Sequence, residues 1–139
     1  MSRSIPEVLR LEVAKRSQYR CEYCCVPERM LATTFHVDHI RSLKHDGNTE
    51  LDNLAFACPH CNQNKGSDVA TFLDENNDET VRLFNPRKDG WNQHFEVNSG
   101  EIIPKTAIGA ATIKILEINQ VERIIFRKAL IEAGLYQIS

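Results

Sequence analysis

The chain has 139 residues, a formal net charge of −2, and a composition of 42% hydrophobic and 26% charged residues, the profile of a single globular domain. Six Gly and five Pro exclude collagen-like and low-complexity classes, and no apolar run reaches the ~20 residues that a membrane helix needs. The balanced charge leaves no basic excess to steer nucleic acid from a distance. The opening residues lack the apolar core of a secretory leader, so a cytoplasmic protein is expected.

In chain order, Ser4-Ile5-Pro6-Glu7 reads as a capping box with Pro in the first turn. It predicts a helix over residues 6–16 with Val8, Leu11 and Ala14 on its apolar face, and Ile5 before them. A turn around Cys21–Cys25 and a short helical turn over 27–31 follow. Residues 33–40, rich in β-branched and aromatic types, predict a strand, and His45-Asp46-Gly47-Asn48 a turn. A second strand is expected over 53–57 and a short helix over 59–65, ended by Gly66. Residues 74–80 form an acidic loop. Short strands are predicted over 81–84, 94–97 and 101–104, then helices over 106–118 and 120–133, the last ended by Gly134. Ile108, Ile115, Ile118, Ile124, Ile125, Leu130 and Ile131 mark the faces that should pack. No repeat or linker divides the chain, so residues 1–139 read as one domain.

The five cysteines are the most informative residues. Four form two C-x2-C pairs, Cys21/Cys24 and Cys58/Cys61, separated by 33 residues, and Cys25 is left over. An odd count without a leader argues against a disulfide framework. Two such pairs instead predict four thiolates around one structural Zn2+, rather than buried reduced thiols or redox pairs. Cys25, adjacent to a ligand, is expected to be a bystander.

Between the pairs lie Asp38-His39-Ile40, Gly47 and Leu51-Asp52-Asn53-Leu54, and after them Asn62 and Lys65. With Cys21-x2-Cys24 and Cys58-x2-Cys61, this constellation over about residues 10–70 resembles the HNH endonucleases. The tail, Leu83-Phe84-Asn85-Pro86-Arg87 and Trp91-x2-His94-Phe95, is similar to that of a bacterial subgroup of the same family. The resemblance implies an α+β protein with a ββα-metal core (two strands and a helix around a catalytic cation), elaborated over residues 71–139. It implies phosphodiester hydrolysis, with His39 as general base, Asp38 on a divalent cation, and Asn53 as a catalytic-site residue that orients the loop. The family's usual final His is replaced by Asn62. Asp38 and Asn62 then offer only oxygen, the preference of Mg2+ or Mn2+.

Lys65, one helical turn after Asn62, is expected to meet a phosphate. His36, two before Asp38 and so on the same strand face, is a possible ligand or orienting group. Arg87 and His94 are possible contacts to the DNA backbone, whereas Trp91 and Phe95 are expected in the core. The function expected is metal-dependent cleavage of DNA, with double-stranded DNA as partner. The alternative is a non-catalytic, zinc-stabilised DNA-binding or interaction module.

Overall fold

A computed structural model describes residues 5–138, so the expected cap residue Ser4 lies outside the described residues. Helix α1 (Glu7–Arg16) begins after Pro6. Its inward face is Val13 and Ala14; Val8 and Leu11, expected there, are 71% and 46% exposed. The docking of its last turn sets this face, because Arg16 donates to the carbonyls of Leu51 and Leu54 at 2.9 and 2.6 Å.

Strands β1 (His36–His39) and β2 (Leu54–Ala57) pair antiparallel, with His36 opposite Ala57 and His39 opposite Leu54. All of β2 is buried. The 14 residues between the strands hold two short 3-10 turns, Leu43–His45 and Leu51–Asn53, around a tight bend at Gly47. A Cβ on Gly47 would lie 1.7 Å from the Arg41 carbonyl oxygen, so only glycine fits that approach. Helix α2 (Pro59–Lys65) follows, with Pro at its first position and Cys58 Sγ accepting from Cys61 N–H at its N-cap. Gly66, at φ +52°, ends it, which accords with glycine's tolerance of positive φ. Two strands and a following helix are thus arranged as the ββα expectation requires.

The second half covers this core. Strands β3 (Ala70–Thr71) and β4 (Val81–Arg82) form a minimal pair on either side of the acidic loop. Helix α3 (Trp91–His94) runs directly into β5 (Phe95–Asn98), which pairs with β6 (Glu101–Pro104). Neither β3 nor α3 is predicted by the sequence, each being too short to show a period. Helices α4 (Ala107–Leu116) and α5 (Val121–Glu132) close the chain. Helix α4 packs on α2 and β6, and α5 on β6. Ile118 and Leu130 are buried as expected, but Ile125 is 63% and Ile131 39% exposed. The inward side of α5 is set by Arg127, fully buried and donating to the Gly100 and Ile118 carbonyls and to Asn119 Oδ1.

Trp91, Phe95 and Phe84 form an aromatic cluster with ring centroids 5.0 and 5.3 Å apart. Trp91 donates its indole N–H to the Tyr23 carbonyl at 2.9 Å. Trp91 and Phe95 are core, as expected, and Trp91 ties the second half to the first cysteine turn.

Candidate active site

The four sulfurs of Cys21, Cys24, Cys58 and Cys61 lie within 4.8 Å of one another, and all four residues are buried. Cys24 and Cys58 Sγ are 3.7 Å apart. A tetrahedral ion with Zn–S bonds of ~2.3 Å has edges of about 3.8 Å, which the Cys24–Cys58 edge matches. Each pair sits on a turn whose second cysteine donates its N–H toward the first sulfur, Cys24 to Cys21 at 3.5 Å and Cys61 to Cys58 at 3.4 Å. Cys25 is buried but outside the cage, with φ at +67°.

The first cysteine turn also supplies a side chain to the neighbouring site. Tyr23, between Cys21 and Cys24, is 1% exposed and donates its hydroxyl to Asp38 Oδ2 at 3.0 Å. Burial, reinforced by the Asp38 carboxylate, holds the Tyr23 phenol well above its usual value, so it stays a donor. Asp38 is itself 6% exposed. Burial pushes its carboxyl up, while the Lys65 ammonium and the Tyr23 hydroxyl oppose that shift.

Lys65 departs from expectation. It is 2% exposed, with Nζ 3.1 Å from Asp38 Oδ2 and donating to the His39 and Ile40 carbonyls at 3.2 and 3.1 Å. All three N–H donors are occupied by these acceptors. The last turn of α2 faces β1, so the side chain folds inward beneath Asp38 instead of out toward a phosphate.

His39 is partly exposed, and its Nε2 lies 3.0 Å from Thr49 Oγ1. Burial holds the imidazole below its usual value; Asp38 works against this shift and Lys65 with it. Near pH 7 the ring is therefore neutral, as a base requires. Asp38, His39 and Asn62 line one open depression, with Ser42, Lys44 and Ser67 beside them. Asp38 Oδ2 takes both the Tyr23 hydroxyl and the closer Lys65 contact, whereas Oδ1 has only Lys65 at 3.5 Å. Among the described residues, no side-chain hydrogen bond engages Asn62. One carboxylate oxygen and one amide oxygen thus remain, a hard donor set that fits Mg2+ or Mn2+.

Asn53 does not reach into this depression. Its Oδ1 accepts from Arg41 N–H at 2.9 Å, and its Nδ2 donates to the Arg41 and Asn48 carbonyls at 2.9 and 2.8 Å. It is a brace for the loop between β1 and β2. The loop-orienting role fits these contacts; direct participation in the chemistry does not.

The other expected members lie elsewhere. His36 is exposed at the start of β1 and does not line the depression. Arg87 ion-pairs with Glu22 and donates to the Leu54 carbonyl at 3.1 Å. Glu22 in turn accepts from Phe56 N–H at 2.8 Å, so Arg87 clamps the second half onto β2 and is not a free contact for DNA. His94 is buried, with Nδ1 2.7 Å from Thr106 Oγ1 and its ring against Phe84 and Phe95. It is a core histidine.

Sequence reasoning missed Tyr23, Thr49 and Arg123, the last with Nη2 3.5 Å from Cys58 Sγ. Only Tyr23 carries a positional hint, its place inside the first C-x2-C turn.

No curated protein and no solved structure matches the chain. The family model described as HNH endonuclease matches residues 21–68, a span running from the first cage cysteine past Lys65. Over those residues the chain is similar to the HNH endonuclease family.

Proposed function

We propose that this chain is a metal-dependent endonuclease that hydrolyses DNA phosphodiester bonds. In this reading His39 is the general base, Asp38 and Asn62 hold Mg2+ or Mn2+, and the four cysteines hold a structural Zn2+. The observation that carries it is the convergence of Asp38, His39 and Asn62 on one open depression, within the segment matched by the HNH model.

A divalent cation bound there supplies positive charge to the phosphate and to the departing 3′ oxygen. The remaining work falls to the chain. Asp38 and the Asn62 amide oxygen would hold the cation, while Tyr23 and Lys65 hold Asp38 through Oδ2. In the His39 tautomer that donates Nε2–H to Thr49 Oγ1, 3.0 Å away, Nδ1 carries the lone pair that removes a proton from water. A neutral imidazole with a depressed pKa does this near pH 7. Lys44, at the rim of the depression, adds positive charge for the substrate backbone. Asn53 and Gly47 keep the loop that carries Thr49 in place.

Incubating the protein with supercoiled plasmid tests the reading. Nicked or linear product should form in Mg2+ or Mn2+ and vanish when excess EDTA strips the weakly held cation. No product with any divalent metal, or equal product from Asp38→Ala, would refute it.

A further inference from the structure

Helix α5 reaches the cysteine cage through one side chain. Arg123 Nη2 lies 3.5 Å from Cys58 Sγ and 3.7 Å from Cys24 Sγ, within N–H···S reach of both. Its Nε is buried with no hydrogen-bond partner among the described residues. Burying that Nε without a partner bears a desolvation cost, and the two sulfurs beside Nη2 are the groups positioned to offset it. Two further contacts bind the C-terminal segment to the same place. The Tyr136 hydroxyl donates to the Cys24 carbonyl at 2.7 Å, and a His60 ring nitrogen lies 2.8 Å from the Glu117 carbonyl oxygen.

We propose that Arg123 is a constituent of the zinc site, a cationic cap over the Cys24–Cys58 edge that makes metal retention and docking of α5 depend on each other. The inference rests on the zinc reading given above. Four thiolates around Zn2+ carry a net double negative charge in a dry cage. Charge-assisted N–H···S bonds draw electron density from two of those sulfurs, which makes them poorer nucleophiles and the metal harder to extract. By linkage, whatever the metal gains from a docked α5, the docking of α5 gains from the metal. Partners of metal ligands typically change metal affinity by about 10–100-fold when removed.

The experiment follows zinc transfer from the purified, full-length protein to a chromogenic chelator, after elemental analysis of the wild type. Arg123→Gln should release zinc about 10-fold faster or more, with Arg123→Lys between it and wild type, because an ammonium keeps the charge but not the fork. Arg127→Lys is the control: it perturbs the same helix at a buried arginine that touches Gly100, Ile118 and Asn119 but no sulfur. By the same linkage it should release zinc faster than wild type, but clearly less so than Arg123→Gln, because it keeps the N–H···S contacts. Circular dichroism before chelation confirms that each variant is folded; an Arg123→Gln that fails this is replaced by Arg123→Lys, whose release must still exceed wild type. Zinc-loaded wild type with unchanged release from the Arg123 variants would overturn this inference alone. Equal acceleration by Arg123→Gln and Arg127→Lys would also overturn it, leaving α5 as mere cover. Wild type folded without zinc would overturn the zinc reading itself.

Discussion

Replacing Asn53 by Ala removes three hydrogen bonds at once, to Arg41 N–H, Arg41 O and Asn48 O, all between 2.8 and 2.9 Å. At about 1 kcal/mol net each, discounted for water that reaches this partly exposed site, the loss is about 2 kcal/mol. A domain of this size moves by about 4 °C per kcal/mol, so the thermal midpoint should fall by about 8 °C. Asn53→Asp is the sharper variant. It keeps an acceptor for Arg41 N–H but turns the donor facing two carbonyl oxygens into a third acceptor, so it should melt below the Ala variant at pH 7. Calorimetric melts of the three proteins measure the order directly. Both variants should also lose kcat with little change in the Mg2+ requirement, because the loosened loop carries Thr49, the partner of His39. An Asp variant as stable as wild type, or normal cleavage by a destabilised Ala variant, would refute the assignment of Asn53 as a brace for the loop between β1 and β2 that carries Thr49.

The remaining expectations are shorter. Burial holds His39 below its ordinary pKa, so the neutral base persists to lower pH, and the acid limb of the cleavage profile should fall below about 6.5. A cation on Asp38 only strengthens that sign; a limb above 6.5 would contradict it. Cys58→Ser should cost the bound zinc and, with it, much of the folding free energy, whereas Cys25→Ser should leave zinc content unchanged by elemental analysis. Asn62→Ala should abolish cleavage without releasing zinc, and Asn62→His should shift metal preference toward Co2+, Ni2+ or Zn2+ by adding an imidazole. Normal cleavage by Asn62→Ala in Mg2+ would move the second ligand elsewhere.

The sequence states what depends on spacing and local chemistry. The C-x2-C pairs foretell the cage, and Pro59 and Gly66 bracket α2 to the residue. Asp38 and His39 fall on β1 and Asn62 on α2, which the topology brings to one depression. What it withholds is direction. A lysine one helical turn after Asn62 reads as reaching out to a phosphate, and only the packing of α2 on β1 turns Lys65 inward to Asp38. Arg87 reads as free positive charge until Glu22, 65 residues earlier, is seen to take it. His94 reads as a tail motif, yet α3 swings it into the Phe84–Phe95 cluster, where its polar atom needs only Thr106. Arg123 is 99 residues from Cys24, and nothing local distinguishes it from the other basic residues of α5.

The central claim is that His39 turns over phosphodiesters at a site that binds DNA independently of that base. The most direct measurement compares plasmid cleavage and DNA retention by wild type and His39→Ala in the same Mg2+ buffer. Loss of a general base predicts a drop of roughly 10²–10⁴-fold in cleavage, with the gel-shift midpoint unchanged. Cleavage by His39→Ala at the wild-type rate would remove His39 from the chemistry and contradict the mechanism.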